Sequence, residues 1–590
     1  MSSGITLDFL TMALGYPSQS FMPSSVCALL FESYNEHPST LAVLESWEKH
    51  PELLNEEAAY KALARRKNTK HSASNKYGDH GDFMFLHDLH LQLVAVFLQL
   101  PAMKVSTLLG LLPGTALASD ALSVAFYAKE KSQLYDFISA NSEIDYGCRP
   151  VVMAAGDEHK LHAVIPENHL HHFKRSLNPD LVRVEILHNL NKRQTATAPI
   201  GKGDRFNGGK VAPRGLGTRK PSEYAQIQSA GVFNADEVYT AMKGLEKEYG
   251  MPIFTTPYKT FENNTIIGGV ANKAEKINKD KQYIYFTSGI HARERGGPDN
   301  LIYFISDLLY ANEHRIGLTY GNKTFTNSQV KKVLGAGIVF IPMLNPDGVR
   351  HDQANSNLWR KNRNPASSTP GVPLSVGVDL NRNFDFLWNF TSKFDPSVAP
   401  ASTNPSSQAF YGTAPFSEPE TRDMAWVYDE YPNIHWYIDV HSAAGTLLYS
   451  WGDDIDQSAD PSQNLFNTAY DGKRGLIEDT LYQEYIDQVD WDNVALAANR
   501  TTAAMNGVGG REYVPQQAVG LYPTSGASDD WSFSRWHADK GVNKVYGYTM
   551  EFGYPTNFYP TSEEYVQNIL DTNAGFMEFV LTAVEIGLKA

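Results

Sequence analysis

Apolar positions follow two recurring patterns along this chain, and together they divide it into segments. Between residues 222 and 590, short runs dense in apolar, aromatic and β-branched residues alternate with longer helix-like stretches. The runs are YIYFTSGI at 283–290, GIVFIPML at 337–344, HWYIDVH at 435–441 and KVYGYTMEF at 544–552; LIYFISDLLYANE at 301–313 is helix-like. Short continuous apolar runs read as strands buried on both faces. Their alternation with helices predicts an α/β fold, a three-layer α/β/α sandwich around a mixed, mainly parallel central sheet. Functional groups in such folds gather where the strands end. Ahead of this domain, residues 119–193 carry shorter runs (PVVMAA, KLHAVI, LVRVEIL) that predict a small α+β domain.

The intervening segments are less regular. Residues 194–221 are rich in Gly, Lys, Arg and Pro and follow the dibasic pair Lys192–Arg193. With no aromatic residue beyond Phe206 to stack on bases, this stretch reads as a flexible linker rather than a nucleic-acid arm. Cleavage after Arg193 would make residues 119–193 an activation pro-segment. Met103–Lys104 open the run VSTLLGLLPGTALAS, which closes on Ala116-Leu117-Ala118. One basic residue, a short apolar core and an A-x-A site are the plan of a secretory signal peptide, here placed internally at 103–118. The run is too short to span a bilayer as a helix. A buried helix of an N-terminal domain is the competing reading. We favour a start at Met103, with residues 1–102 an upstream extension carrying no assigned domain.

Composition narrows the function classes. The 590 residues are 42% hydrophobic and 20% charged, with a net charge of -15, which argues against nucleic-acid or anionic-membrane partners. Cys27 and Cys148 are the only cysteines, too few for a cysteine zinc site or a disulfide framework. Asn263, Asn322, Asn389 and Asn499 head N-x-[ST] sequons. With the signal-like segment, they point to an extracellular, secreted and glycosylated protein.

The chemistry sits where apolar runs stop. YIYFTSGI ends on His291-Ala292-Arg293-Glu294, and HWYIDV ends on His441. A His and a Glu three apart on a turn leaving a strand can face one centre with a distant His. Two imidazoles and one carboxylate leave a fourth position open, as catalytic zinc requires. His-x-x-Glu recurs by chance, so the pattern draws its meaning from its company.

That company is Trp359-Arg360-Lys361, then Gly377 through Phe384 (GVDLNRNF), Leu521-Tyr522-Pro523, Ser525 through Trp531 (SGASDDW), and Thr549-Met550-Glu551-Phe552. In order and spacing these resemble the motifs of the pancreatic-type (carboxypeptidase A/B-like) zinc metallocarboxypeptidases, over roughly residues 225–590. The resemblance implies one zinc ion held by His291, Glu294 and His441, with Asp379 orienting the His291 ring. It implies that Glu551 is the base that deprotonates the water attacking at the metal. Arg360 would polarise the scissile carbonyl; the nearby Arg363 reads as a solvated surface charge. Asn381 and Arg382 would grip the substrate's terminal carboxylate, Tyr522 would close over the bound residue, and Arg293 and Ser442 would contact substrate upstream of the cut bond. The position two before the family's Trp lies at the base of the pocket for the C-terminal side chain. Here it is Asp529, which implies preference for C-terminal Lys or Arg, since an apolar side chain would leave a buried carboxylate unpaired.

The implied partners are peptide or protein C-termini, with the chain's own pro-segment as an intramolecular inhibitor, and a monomer is expected. Glu294 and His441 are 147 residues apart, longer than the family pattern, and the excess falls in the Pro/Ser-rich stretch Ser392–Ser417, which reads as a surface loop. Three alternatives stay open: broad or apolar C-terminal specificity, a catalytically dead peptide-binding homologue, and a cytosolic enzyme trimming acidic tails. Asp529 argues against the last.

Overall fold

Period-two burial organises the first folded unit. The computed structural model describes residues 121–589 apart from short stretches, chiefly 145–151, 190–196, 272–277 and 554–556. Strands β1 (Ala121–Ala128), β2 (Val152–Ala155), β3 (Glu158–Pro166) and β4 (Arg183–Asn189) form an antiparallel sheet in the order β2-β3-β1-β4, with helix α1 (Lys131–Ala140) beside it. Leu122, Val124, Phe126 and Ala128 alternate along β1 and form a separate core with Leu134 and Phe137 of α1. This is the small α+β unit expected there. The signal-like segment 103–118, the extension 1–102, both cysteines and the Lys192–Arg193 pair lie outside the described residues.

The large domain is built on an eight-stranded sheet. Its members are β5 (Ile253–Lys259), β6 (Thr265–Ala271), β7 (Ile284–Ser288), β10 (Ile338–Ile341), β11 (Trp436–Ser442), β12 (Thr446–Tyr449), β15 (Val514–Gln517) and β16 (Tyr546–Phe552). The order is β15-β12-β16-β11-β7-β10-β6-β5. Strands β16, β11, β7 and β10 run parallel at the centre, and antiparallel joints flank them. Two small strand pairs, β8–β9 (Leu318–Tyr320, Lys323–Phe325) and β13–β14 (Asp456–Gln457, Glu484–Tyr485), lie outside this sheet. The principal helices are α2 (Ala235–Tyr249), α3 (Gly297–His314), α4 (Pro419–Glu430), α5 (Gln488–Val508), α6 (Ser528–Ala538) and α7 (Ser562–Ile586).

Strand β11 shows why the domain has three layers. Successive side chains of a strand point to opposite faces. Trp436 packs on Phe579 of α7, while Tyr437 packs on Tyr428 of α4. A strand covered on both faces must be apolar throughout, and all seven residues of β11 are buried. The expected α/β/α sandwich is therefore the observed one. Among the described residues no helix is long and apolar enough to cross a membrane.

Residues 197–221, expected as a flexible linker, are instead packed on the domain. Thr197 bridges to Thr561 and Ile200 to Val232, and Phe206 and Leu216 are buried. Arg205 donates to both Glu237 carboxylate oxygens, at 2.7 and 2.9 Å, and to the carbonyls of Ala230 and Gly231, each at 2.9 Å. The glycines that suggested flexibility serve close approach: at Gly209 (φ +86°) a Cβ would lie 2.5 Å from Lys243 Cβ on α2. Glu237 also closes a capping box on α2, exchanging hydrogen bonds with Asn234. The Pro/Ser-rich stretch 392–417 is likewise only partly a surface loop, because Phe394, Ala401 and Phe410 are buried.

Removing Arg205 strands a carboxylate that is almost fully buried. Arg205→Ala is expected to cost about 3 kcal/mol of stability, measured by denaturant unfolding. Arg205→Ala combined with Glu237→Gln should recover part of that loss.

Candidate active site

Three parallel strand ends supply the site. The chain leaves β7 through Gly289, whose φ of +66° favours glycine, and reaches His291 within three residues. Two tethers fix this turn: Asn345, a buried helix N-cap, donates to the Ile290 carbonyl at 3.0 Å, and Ala292 N–H donates to the Arg360 carbonyl at 3.1 Å. His441 lies at the end of β11, paired in register with Glu551 on β16. Backbone pairing therefore places the second imidazole beside the expected base.

The side chains of His291, Glu294 and His441 converge. His291 Nδ1 is 2.8 Å from Glu294 Oε1, and His441 Nδ1 is 3.0 Å from His291 Nδ1 and 3.1 Å from Glu294 Oε2. The outer nitrogens are engaged elsewhere: His291 Nε2 with Asp379 at 3.0 Å, His441 Nε2 with Asp439 at 2.9 Å. Carboxylates only accept, so each Nε2 carries the proton it donates and each Nδ1 turns a lone pair inward. Two such nitrogens and a carboxylate, all buried, face one point. Such a cluster needs a cation among its members. Burial pushes His441 toward lower pKa, but Asp439 and Glu294 hold it well above its ordinary value. Arg360, whose Nη1 lies 3.1 Å from His291 Nδ1, contributes to that need, and a metal ion held by the three residues would meet it. The donor set fits zinc, with Glu294 also held by the Ser442 N–H at 3.2 Å.

Arg360 and Asp379 form the adjoining wall. Arg360 donates through Nε and Nη2 to Asp379 Oδ2, at 3.1 and 3.0 Å, and its Nη1 reaches His291 Nδ1 at 3.1 Å. Burial opposes ionisation of Asp379, yet Arg360 and His291 keep it well below the usual carboxylate range. Glu551 is buried without such a partner. Burial, reinforced by Glu294, pushes it up to about 7, and a cation at the triad would act in the opposite direction.

Asn381, Arg382, Tyr522 and Asp529 line the same cavity as the triad and Glu551. Asn381 commits its side-chain oxygen to Ser528 N–H at 2.8 Å, leaving its NH₂ as the available donor. Arg382 donates through Nη1 to the Asn381 carbonyl at 2.6 Å and lies 5.9 Å from the Tyr522 ring. Its Nε and Nη2 are buried without a hydrogen-bond partner. A guanidinium edge in that state is arranged for a bidentate anion. Asp529, in the first turn of α6, accepts from Thr549 Oγ1 at 2.9 Å and is 3% exposed.

Two expected substrate contacts stand apart from this cavity. Arg293 is fully buried, 4.5 Å from the centre of the Phe558 ring, with Nη1 3.4 Å from the Leu358 carbonyl. Ser442 contributes its backbone N–H to Glu294, and its hydroxyl is buried without a partner. Arg363 is not a free surface charge, because its guanidinium sits 4.5 Å over the Trp359 ring. Asn345 and Asp439 escaped the sequence reading. For Asp439 a signal existed, an acidic residue inside an apolar strand two positions before His441, hence on the same face.

Comparisons with known proteins match the domain that carries these residues. A family profile described as zinc carboxypeptidase matches residues 238–575, more than half of the chain. Carboxypeptidase B of Astacus astacus is 27% identical over 311 residues, covering 50% of this chain and 82% of its own. An inactive metallocarboxypeptidase, ecm14, of Talaromyces stipitatus is 25% identical over 335 residues, covering 53% of this chain and 50% of its own. The crystal structure of carboxypeptidase A from Helicoverpa armigera matches with a TM-score of 0.55 at 18% identity, covering 80% of this chain and 98% of that one, a likeness of fold.

Metal analysis checks the cluster directly. Protein equilibrated with zinc should hold about one ion per chain by atomic emission. His441→Ala should lose it while keeping the native far-UV circular dichroism.

Proposed function

Because the chain belongs to the zinc carboxypeptidase family, we propose that it is a zinc-dependent exopeptidase that removes C-terminal residues, with preference for Lys and Arg. The observation that carries this reading is the unpartnered Nε/Nη2 edge of Arg382 in the cavity that also holds the His291–Glu294–His441 cluster and Glu551. An anion-seeking edge in the same cavity as a hydrolytic centre would select the last peptide bond of a chain.

Zinc at the triad would supply Lewis acidity toward the scissile carbonyl and the attacking water. The protein's own groups do the rest. Arg382 and the Asn381 NH₂ hold the substrate's terminal carboxylate. Arg360 ties Nε and Nη2 to Asp379, and its Nη1, 3.1 Å from His291 Nδ1 at the edge of the triad, would turn toward a developing oxyanion. Glu551 accepts a proton from the attacking water and delivers it to the departing amine, which breaks the C–N bond. Asp529 offers a buried carboxylate to an incoming ammonium or guanidinium, and Thr549 holds one of its oxygens in place. Tyr522, on the loop before α6, lines the cavity and would cover the bound residue.

We further propose that the protein is secreted as a zymogen. The signal-like segment 103–118, the dibasic Lys192–Arg193 and a separately cored unit over 121–189 support this. In that scheme the small unit is the intramolecular inhibitor, and the packed strap at 197–221 stays attached after cleavage. N-terminal sequencing of secreted protein should begin at Ser119 or after Arg193; recovery of residues before Ser119 would contradict it.

A non-catalytic, peptide-binding homologue is the competing reading, and the relative named inactive keeps it in view. Presence of every matched catalytic residue favours activity. Peptides ending in Arg, Phe and Glu separate the cases. Arg peptides should be cleaved fastest, and a zinc chelator should stop turnover. Glu551→Gln should lower kcat by about 10³-fold with zinc content unchanged. Asp529→Ala should lower kcat/KM for Arg peptides by at least about 10²-fold and spare Phe peptides. Cleavage of Phe but not Arg peptides by the parent protein would overturn the specificity, and zinc-loaded, processed protein without turnover would favour the binding homologue.

A further inference from the structure

We propose that Asp439 is a positioning residue for His441 and that Ser528 ties it to the substrate pocket, so that one carboxylate organises the metal centre and the specificity helix together. The inference rests on the reading that the triad holds zinc. Asp439 sits in the middle of β11, flanked by β7 and β16, and is fully buried. A carboxylate there is costly unless its lone pairs are used. They are: Oδ2 accepts from His441 Nε2 at 2.9 Å and from Ser528 Oγ at 3.0 Å, and Oδ1 accepts from Thr287 Oγ1 at 2.7 Å.

The two histidines are held differently. Asp379 shares its charge between His291 and the Arg360 guanidinium. Among the described residues no arginine or lysine forms an ion pair with Asp439, so its charge acts on His441. A hydrogen-bonded carboxylate fixes the imidazole tautomer, orients the ring and raises its basicity as a ligand. Asp439 therefore keeps the proton on Nε2 and Nδ1 free for the metal.

Ser528 carries the same constraint onward. Its Oγ donates to Asp439 while its N–H donates to Asn381 Oδ1 at 2.8 Å, and its carbonyl accepts from Ser532 Oγ at 2.7 Å. The following residue is Asp529. The first turn of α6 is thus pinned between the residue that positions a metal ligand and the residue that would meet the substrate carboxylate.

Zinc affinity measured by competition with a chromophoric chelator tests this, on the full chain, for the parent protein, Asp439→Asn and Ser528→Ala. Asp439→Asn should weaken zinc binding by about 10- to 100-fold, and Ser528→Ala by about threefold or more through the loss of one hydrogen bond. The metal-free proteins should unfold within a few degrees of one another, so that the loss appears in the zinc-induced rise of the melting temperature. A purely structural role would lower the metal-free midpoint and leave zinc affinity unchanged. Parent protein that binds zinc while Asp439→Asn matches its affinity would overturn the inference alone. Parent protein that binds no zinc would overturn the reading beneath it. Should Asp439→Asn fail to fold, Ser528→Ala decides, and unchanged affinity in that variant overturns the inference.

Discussion

Two imidazole nitrogens that face each other at 3.0 Å beside a buried carboxylate call for a cation among them. That geometry follows from what holds the outer nitrogens. Asp379 and Asp439 each accept an Nε2 proton and so dictate which nitrogen of each ring turns inward. Glu294 closes the cluster from the same loop as His291, and the Ser442 N–H fixes its second oxygen. Much of the surrounding polar structure serves to hold this arrangement, whose donor set fits a metal ion. Arg360 balances Asp379, Thr287 and Ser528 satisfy Asp439, and Asn345 tethers the turn that carries His291.

The α/β architecture explains how such distant residues meet. Parallel strands align their C-terminal ends on one edge, so β7, β11 and β16 deliver their trailing residues to a common rim. Register pairs His441 with Glu551 directly, and the same burial that makes the strands stable strips water from Glu551. Burial is thus the first cause of the raised Glu551 carboxyl, with Glu294 adding to it. Arg382 and Asn381 come from the loop that carries Asp379, and they meet the first turn of α6 through Ser528. The centre that would break the bond and the pocket that would choose the residue share a wall.

Much of this was legible in the residues, for identifiable reasons. Uninterrupted apolar runs of strand length announced a sheet buried on both faces, and the chemical residues fell where those runs stopped. His291, Glu294 and His441 formed a ligand pattern, but the roles of Arg382, Tyr522 and Glu551 came from their resemblance to a family. What was misread depended on long-range pairing. The glycines and basic residues of 194–221 suggested a loose connector, whereas Arg205 has its partner 32 positions away on α2 and Gly209 allows close packing there. Arg293 is buried beside Phe558, a neighbour far along the chain that no local pattern announces. Asp439 was readable by period-two logic beside His441 and went unnoticed because its flanks are apolar.

The account stands or falls on the identity of the cation and the atoms that hold it. X-ray absorption at the zinc edge of the loaded, full-length protein measures both. It should show nitrogen and oxygen neighbours at about 2.0–2.1 Å, the outer-shell pattern of two imidazoles, and no sulfur. A shell of six oxygens, or one with fewer than two imidazoles, would contradict the assignment of His291, Glu294 and His441 as the metal ligands.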